Sequence, residues 1–222
     1  MKKRIVSLLL AAALLTGAAS AAGEEGAAEQ PDLDLSAASA VLMEKETGAL
    51  LYEKESHQQL EPASVTKVMT LLLIMEDLDS GRLSKEDLVT VSAAAAGMGG
   101  SQVYLKEGEQ LSAGELIKCI AVVSGNDAAV AMAEHLAGSE AAFVERMNRR
   151  AQELGMKDTA FVNCTGLPAA GHHSSAYDIA LMSRELILHH PDIRTYTTIW
   201  MDSIRDGAFG LTNTNRLVRF YP

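Results

Sequence analysis

The stretch Glu61-Pro62-Ala63-Ser64-Val65-Thr66-Lys67-Val68-Met69-Thr70 decides how this chain is read. Pro62 stands ahead of a helical pattern running from about Ala63 to Leu78, and Gly81 marks its end. Proline early in a helix costs little, because the first amide protons have no intrahelical partner. Positions three apart share a helix face, so the Ser64 hydroxyl and the Lys67 amine can meet. Ser64 is expected in the first turn, where unpaired amides and the positive end of the helix dipole favour a developing negative charge. Val68, Met69 and Leu71 to Ile74 surround Lys67 with apolar side chains. An ammonium there loses solvation, its pKa falls, and it becomes a candidate base. Alone the spacing is weak: chance supplies roughly one Ser-x-x-Lys in a chain of this length. A helix-start serine with a surface lysine is the bland alternative.

A second motif, Ser124-Gly125-Asn126, lies 60 positions on. It follows the apolar run Leu116 to Val123 and precedes another helical pattern. Gly125 interrupts what would otherwise be a continuous helix, so a hydroxyl and an amide sit on a tight turn between helices. Ser124 is a candidate proton relay between Lys67 and a leaving group. Asn126 is a candidate substrate ligand through its carboxamide. A helix cap by Ser124 or Asn126 remains the structural alternative.

Both motifs together, behind an apparent export signal, resemble the active-site serine penicillin-recognising enzymes, whose motif set is Ser-x-x-Lys, Ser-Asp-Asn and Lys-Thr-Gly. The Ser-Gly-Asn form is similar to the low-molecular-weight D-alanyl-D-alanine carboxypeptidases. So are Ser124-Gly125-Asn126-Asp127-Ala128, Asn163-Cys164-Thr165-Gly166-Leu167 and Ser174-Ser175-Ala176-Tyr177-Asp178. The resemblance covers about residues 36–222. It implies an α+β, penicillin-binding-protein/β-lactamase-like transpeptidase fold, an antiparallel sheet with an inserted helical subdomain. It implies Ser64 as nucleophile, Lys67 as proton acceptor, Ser124 as proton relay and Asn126 as substrate ligand, with the Ser64 amide as half of an oxyanion hole. Peptidoglycan stem peptides ending in D-Ala-D-Ala are the implied substrates. β-Lactam antibiotics are implied covalent inhibitors, and no cofactor or metal is expected.

Lys-Thr-Gly does not occur in the 222 residues. In relatives it follows soon after a segment like Asn213-Thr214-Asn215-Arg216-Leu217. The chain is therefore expected to be a portion of a longer protein, with its sheet incomplete and with little activity by itself. Any membrane association is expected to come from a C-terminal region beyond it. Two rivals stay open. A class A β-lactamase resembles a pattern with Glu-x-x-Leu-Asn, which is missing here. A non-catalytic wall-binding scaffold would keep the fold without turnover.

Outward from the motifs, Ala40-Val41-Leu42-Met43 and Ala49-Leu50-Leu51-Tyr52 flank Glu46-Thr47-Gly48 and predict a β-hairpin. Ser112 and Glu115 form a capping box ahead of Leu116. Further helices are expected over about 127–136, capped by Gly138, over 140–154, stopped at Gly155, and from Ser175 to just before Pro191. Tyr196 to Ile204, rich in β-branched and aromatic residues, predicts a strand.

The N-terminus carries Lys2, Lys3 and Arg4, the apolar run Ile5 to Leu15, and Ala19-Ser20-Ala21. This layout predicts a signal peptide over 1–21, with a retained anchor as the alternative, and an exported, extracytoplasmic bacterial protein. Residues 22–34 read as a flexible acidic linker, and the catalytic portion as 35–222. Removing the leader would change the net charge from −10 to −13. No basic footprint then remains, which argues against a nucleic-acid partner. With 48% hydrophobic residues the rest can bury a core. Cys119 and Cys164 could pair after export, but Cys119 in an apolar run reads as a buried free thiol. His172-His173 and His189-His190 lack zinc-site spacing and read as surface or helix-end residues.

Overall fold

The computed structural model describes residues 33–220. The expected leader, and all but the last two residues of the expected linker, lie outside the described residues.

The first elements are the hairpin strands β1 (Ala40–Met43) and β2 (Leu50–Lys54). They pair antiparallel, Ala40 opposite Lys54 and Leu42 opposite Tyr52, with an irregularity between Leu42 and Met43. Their turn is organised by Glu44. Its carboxylate accepts from the Glu46 amide at 3.0 Å and from the Thr47 amide at 2.6 Å. Gly48 supplies the positive φ of 77° that the return requires.

A 3-10 turn at Ala63–Thr66 leads into helix α1 (Lys67–Asp79). Met69, Leu71, Leu72, Leu73, Ile74 and Met75 of α1 are all buried. A helix apolar on nearly every side belongs in the middle of a core, and α1 packs against several helices introduced below. Strands β3 (Leu88–Thr90) and β4 (Gln110–Ser112) pair around the short helix α2 (Ala93–Ala96). Helix α3 (Ala113–Val123) starts at the expected capping box: the Ser112 hydroxyl accepts from the Glu115 amide, and the Glu115 carboxylate accepts from the Ser112 amide. Helix α4 (Asn126–Ala137) ends at Gly138 in the left-handed conformation. Helices α5 (Glu140–Glu153) and α6 (Ala176–His189) are N-capped by Ser139 and Ser175. Helix α1 touches α3, α4, α5 and α6, and α6 also packs on β1.

The chain closes with α7 (Arg194–Thr197), the hairpin β5 (Met201–Ile204) with β6 (Phe209–Thr212), and α8 (Leu217–Phe220). The strand expected from Tyr196 begins only at Met201. Ile193 and Tyr196, three apart, are both buried on one side of a helical turn, and that burial overrides the β-branched composition. The α+β character and the helical block between strand pairs are as expected. Among the described residues the strands form three separate two-stranded sheets. No helix of the described residues is long and apolar enough to cross a membrane.

Leu72 has no exposed surface. Leu72→Ala should therefore cost about 2–5 kcal/mol of unfolding free energy in urea, the range for a large-to-small change with partial collapse. A loss under about 1 kcal/mol would show that α1 is not central.

Candidate active site

Two backbone bridges fix where the first motif sits. Leu60 and Ser174 exchange amide–carbonyl hydrogen bonds at 2.8 and 2.9 Å. Ala160 and His173 do the same at 3.0 and 3.1 Å. Residues 172–174 thus run between the segment leading into the Ser64 turn and the segment leading into Asn163. Three residues after Leu60, Ala63 takes a φ of +45°, a conformation most side chains avoid. The 3-10 turn that follows presents Ser64 exposed and Thr66 buried. Ser64 therefore lies not in the first α-helical turn but in the tighter turn before it.

Lys67 opens α1 and is only 3% exposed. Its amine donates to the Thr165 carbonyl at 2.7 Å and lies 3.3 Å from Ser64 Oγ. The second distance is long for a hydrogen bond, as catalytic contacts often are before a substrate tightens them. Burial lowers the pKa of Lys67 to about 8, with a smaller opposing effect from Cys164. The expected pair is thus assembled: an exposed hydroxyl beside an enclosed, weakened ammonium.

The floor of the pair is the loop 163–167. Asn163 Oδ1 accepts from the Gly166 amide at 2.7 Å and from the Thr165 amide at 3.1 Å, and its Nδ2 donates to the Leu167 carbonyl at 2.8 Å. The Cys164 carbonyl accepts from Thr70 Oγ1 at 2.7 Å, so two successive carbonyls of the loop are fastened to α1. Gly166 has a φ of +84°, and a Cβ placed there would lie 1.8 Å from the Ala63 carbonyl oxygen. Only glycine lets this loop approach the Ser64 turn so closely. Asn163, Thr165 and Gly166 were part of the resemblance, yet nothing local in the sequence assigns them this supporting role.

The second motif forms the expected inter-helix turn. Ser124 is the left-handed C-cap of α3 (φ 59°, ψ 38°) and Gly125 precedes α4. The Ser124 hydroxyl makes no hydrogen bond among the described residues, to Lys67, Ser64 or any other group. Asn126 is buried. Its amide donates to the Ser101 carbonyl at 2.7 Å and its Nδ2 to the Gly99 carbonyl at 2.8 Å. Its Oδ1 is buried without a partner among the described residues, an open acceptor for an amide donor. A Cβ on Gly100 would meet Asn126 Nδ2 at 2.8 Å and Leu167 at 3.6 Å. Asn126 thus borders the same loop that supports Lys67. Capping does not account for it, since no side chain caps α4.

Asp127, which the sequence reading passed over, holds this border. Its buried carboxylate accepts from the Val103 amide at 3.0 Å and the Leu105 amide at 3.1 Å. Arg205 holds the same loop from outside through the Val103 and Tyr104 carbonyls.

One histidine needs correction: His172 is buried and bonded to Thr66 and Val162. His190 is the C-cap of α6, a helix-end residue as expected, with its ring against Asp79, and His189 is exposed beside Glu185. Both cysteines are free and buried, and burial raises the Cys119 pKa to about 12. Among the described residues, Glu76, Glu185 and His190 bring ligand-type atoms together. Arg150 already donates to both glutamates at 2.6 Å, so that cluster has its positive charge.

Known proteins resemble this chain in sequence and fold. Residues 24–222 match the peptidase S11 family, D-alanyl-D-alanine carboxypeptidase. The chain is 49% identical over 225 residues to the D-alanyl-D-alanine carboxypeptidase DacF of Bacillus subtilis, covering 100% of this chain and 58% of that protein. It is 43% identical over 165 residues to DacD of Escherichia coli, covering 72% of this chain and 42% of that protein. Penicillin binding protein 5 from Haemophilus influenzae superposes with a TM-score of 0.78 at 33% identity, over 82% of this chain and 53% of that one. Penicillin-binding protein D2 from Listeria monocytogenes, in its ampicillin-bound form, gives 0.75 at 31% identity, over 85% and 76%. The fold is that of the penicillin-binding proteins, and the chain spans about half the length of the curated relatives it matches.

Gly166→Ala tests the close approach. A methyl group 1.8 Å from a backbone oxygen must displace the loop or the Ser64 turn. We expect a loss of about 3 kcal/mol or more in chemical unfolding. A loss within about 0.5 kcal/mol would mean that the loop is free to move.

Proposed function

The chain belongs to the D-alanyl-D-alanine carboxypeptidase family, and from that premise we propose that the whole protein is a serine-type D-Ala-D-Ala carboxypeptidase acting on peptidoglycan stem peptides. The observation that carries this reading is the buried Lys67 amine beside the exposed Ser64 hydroxyl. With a pKa near 8, about a tenth of the lysine is neutral at pH 7. The neutral amine takes the hydroxyl proton as Ser64 Oγ attacks the carbonyl of the penultimate D-alanine. The amide C–N bond breaks, and the Lys67 ammonium returns the proton to the amine of the departing D-alanine. Water then attacks the Ser64 ester, with Lys67 accepting a proton from it, and as the shortened peptide leaves Lys67 returns that proton to Ser64 Oγ. Every proton is accounted for by side chains and water.

Asn126 would hold the peptide through its unpartnered Oδ1. Ser124, with its uncommitted hydroxyl, would relay the proton by turning toward Lys67. Both roles come from the resemblance, and the free acceptor and free hydroxyl are compatible with them. The basic start and apolar run at 2–15 support export to the outer face of the cytoplasmic membrane or the periplasm. Penicillin-binding protein D2 is known with ampicillin and with cefotaxime bound. Covalent inhibition by β-lactams is accordingly part of the proposal for this protein.

A fluorescent penicillin should attach once per molecule to the full-length protein and leave slowly, and Ser64→Ala should abolish the label. Fast hydrolysis would favour a β-lactamase, and the absence of covalent label a scaffold. The acylation rate should climb as pH rises through about 8, because the reactive form of Lys67 is the one that has lost its proton. A rate flat from pH 6 to about 9 would remove Lys67 from the role of base.

A further inference from the structure

His172 lies 106 positions from Thr66 in sequence, yet its Nε2 is 2.8 Å from Thr66 Oγ1. Its other nitrogen, Nδ1, is 3.0 Å from the Val162 amide nitrogen. The two contacts fix the tautomer. A backbone amide can only donate, so Nδ1 must be the unprotonated acceptor. The ring proton is then on Nε2, which donates to the Thr66 hydroxyl oxygen. The ring is only 4% exposed and packs edge-on against Phe161 at 6.0 Å. Burial, with His173 adding to it, lowers the pKa of His172 and keeps the ring in this neutral form.

The ring is anchored more firmly than what it holds. Its backbone belongs to the segment bridged to Leu60 on one side and to Ala160 on the other. The turn at Ala63–Thr66 has little support of its own. It is a 3-10 turn without a side-chain cap, entered through a left-handed alanine. A left-handed non-glycine residue costs about 1–2 kcal/mol, so the surroundings must hold it there. Ala63 is backed by Gly166. Thr66, at the other end of the turn and next to Lys67, is held by His172.

We propose that His172 is a positioning residue: through Thr66 it holds the turn that brings the Ser64 hydroxyl to the Lys67 amine. The inference rests on the carboxypeptidase reading for its consequence in catalysis. The bland alternative is a buried polar pair that satisfies itself and stabilises the fold without aligning the nucleophile.

Two substitutions separate them. In His172→Gln the carboxamide nitrogen reaches the place of Nε2 and still donates to Thr66, while the acceptor for Val162 is lost. In His172→Asn the carboxamide oxygen takes the place of Nδ1 and still accepts from Val162, but nothing reaches Thr66. Each variant of the full-length protein is assayed well below its own melting temperature, for penicillin acylation and for the titration of the Lys67 amine by NMR. We expect His172→Gln to retain acylation within about 3-fold, and His172→Asn to lose about 30- to 100-fold in the acylation step. A displacement of about 1 Å between reacting groups has an effect of that size. The Lys67 titration should move back toward 10.5 in His172→Asn and stay near 8 in His172→Gln. Equal losses in the two variants, or a His172→Asn that matches wild type in both measurements, overturns the proposal. If the wild-type protein takes no penicillin, the carboxypeptidase reading fails separately. The Lys67 titration then still decides the role of His172.

Discussion

A lysine amine enclosed at the first turn of the central helix, with one backbone carbonyl and one serine hydroxyl for partners, constrains the rest of this structure. Removing an ammonium from water is costly, and among the described residues no carboxylate pairs with Lys67 to offset the cost. The fall of its pKa from 10.5 to about 8 corresponds to roughly 3 kcal/mol against the charged form. Residues that only served stability would not arrange this. The cost is sustained because the rest of α1 is buried among apolar side chains from α3, α4, α5 and α6. Each large side chain enclosed there contributes about 1.5–3 kcal/mol. The core thus holds in place a group that the core itself destabilises.

The same logic extends to the loop under the lysine. Gly166 lies against Ala63, Thr165 presents its carbonyl to the amine, and Asn163 ties the loop to itself. None of the three hydrogen-bonds to the Ser64 hydroxyl, yet each limits where it can be. Asp127 and Arg205 do likewise for the segment Val103–Leu105 that borders Asn126. Ala63 and Ser124, left-handed without being glycine as Tyr104 and Arg205 also are, put strain in both motifs. That is where a scaffold fixed from several sides can hold it.

Local chemistry made much of this legible in advance. The capping box at Ser112 and Glu115, the glycine after α4 and the glycine in the first hairpin turn each need only a few neighbouring residues to be recognised. The Ser64–Lys67 contact is also local, a matter of three positions. Strands β3 and β4, of three residues each, were not legible, because so short a run shows no period. The burial of His172 was missed for a different reason. Its partner Thr66 lies across the fold, and a histidine pair in a polar loop looks like surface until that loop is seen to bridge two others. Ser124 marks the reverse limit: its motif identifies the turn, but not the left-handed backbone angle that the turn takes.

The most direct measurement is the titration of the Lys67 amine by NMR, with isotope-labelled lysine and a Lys67→Met control to assign the signal. A midpoint near 8 is the expected result. A midpoint at or above the ordinary 10.5 would mean that the amine stays charged in solvent, and that it could not take the proton from Ser64.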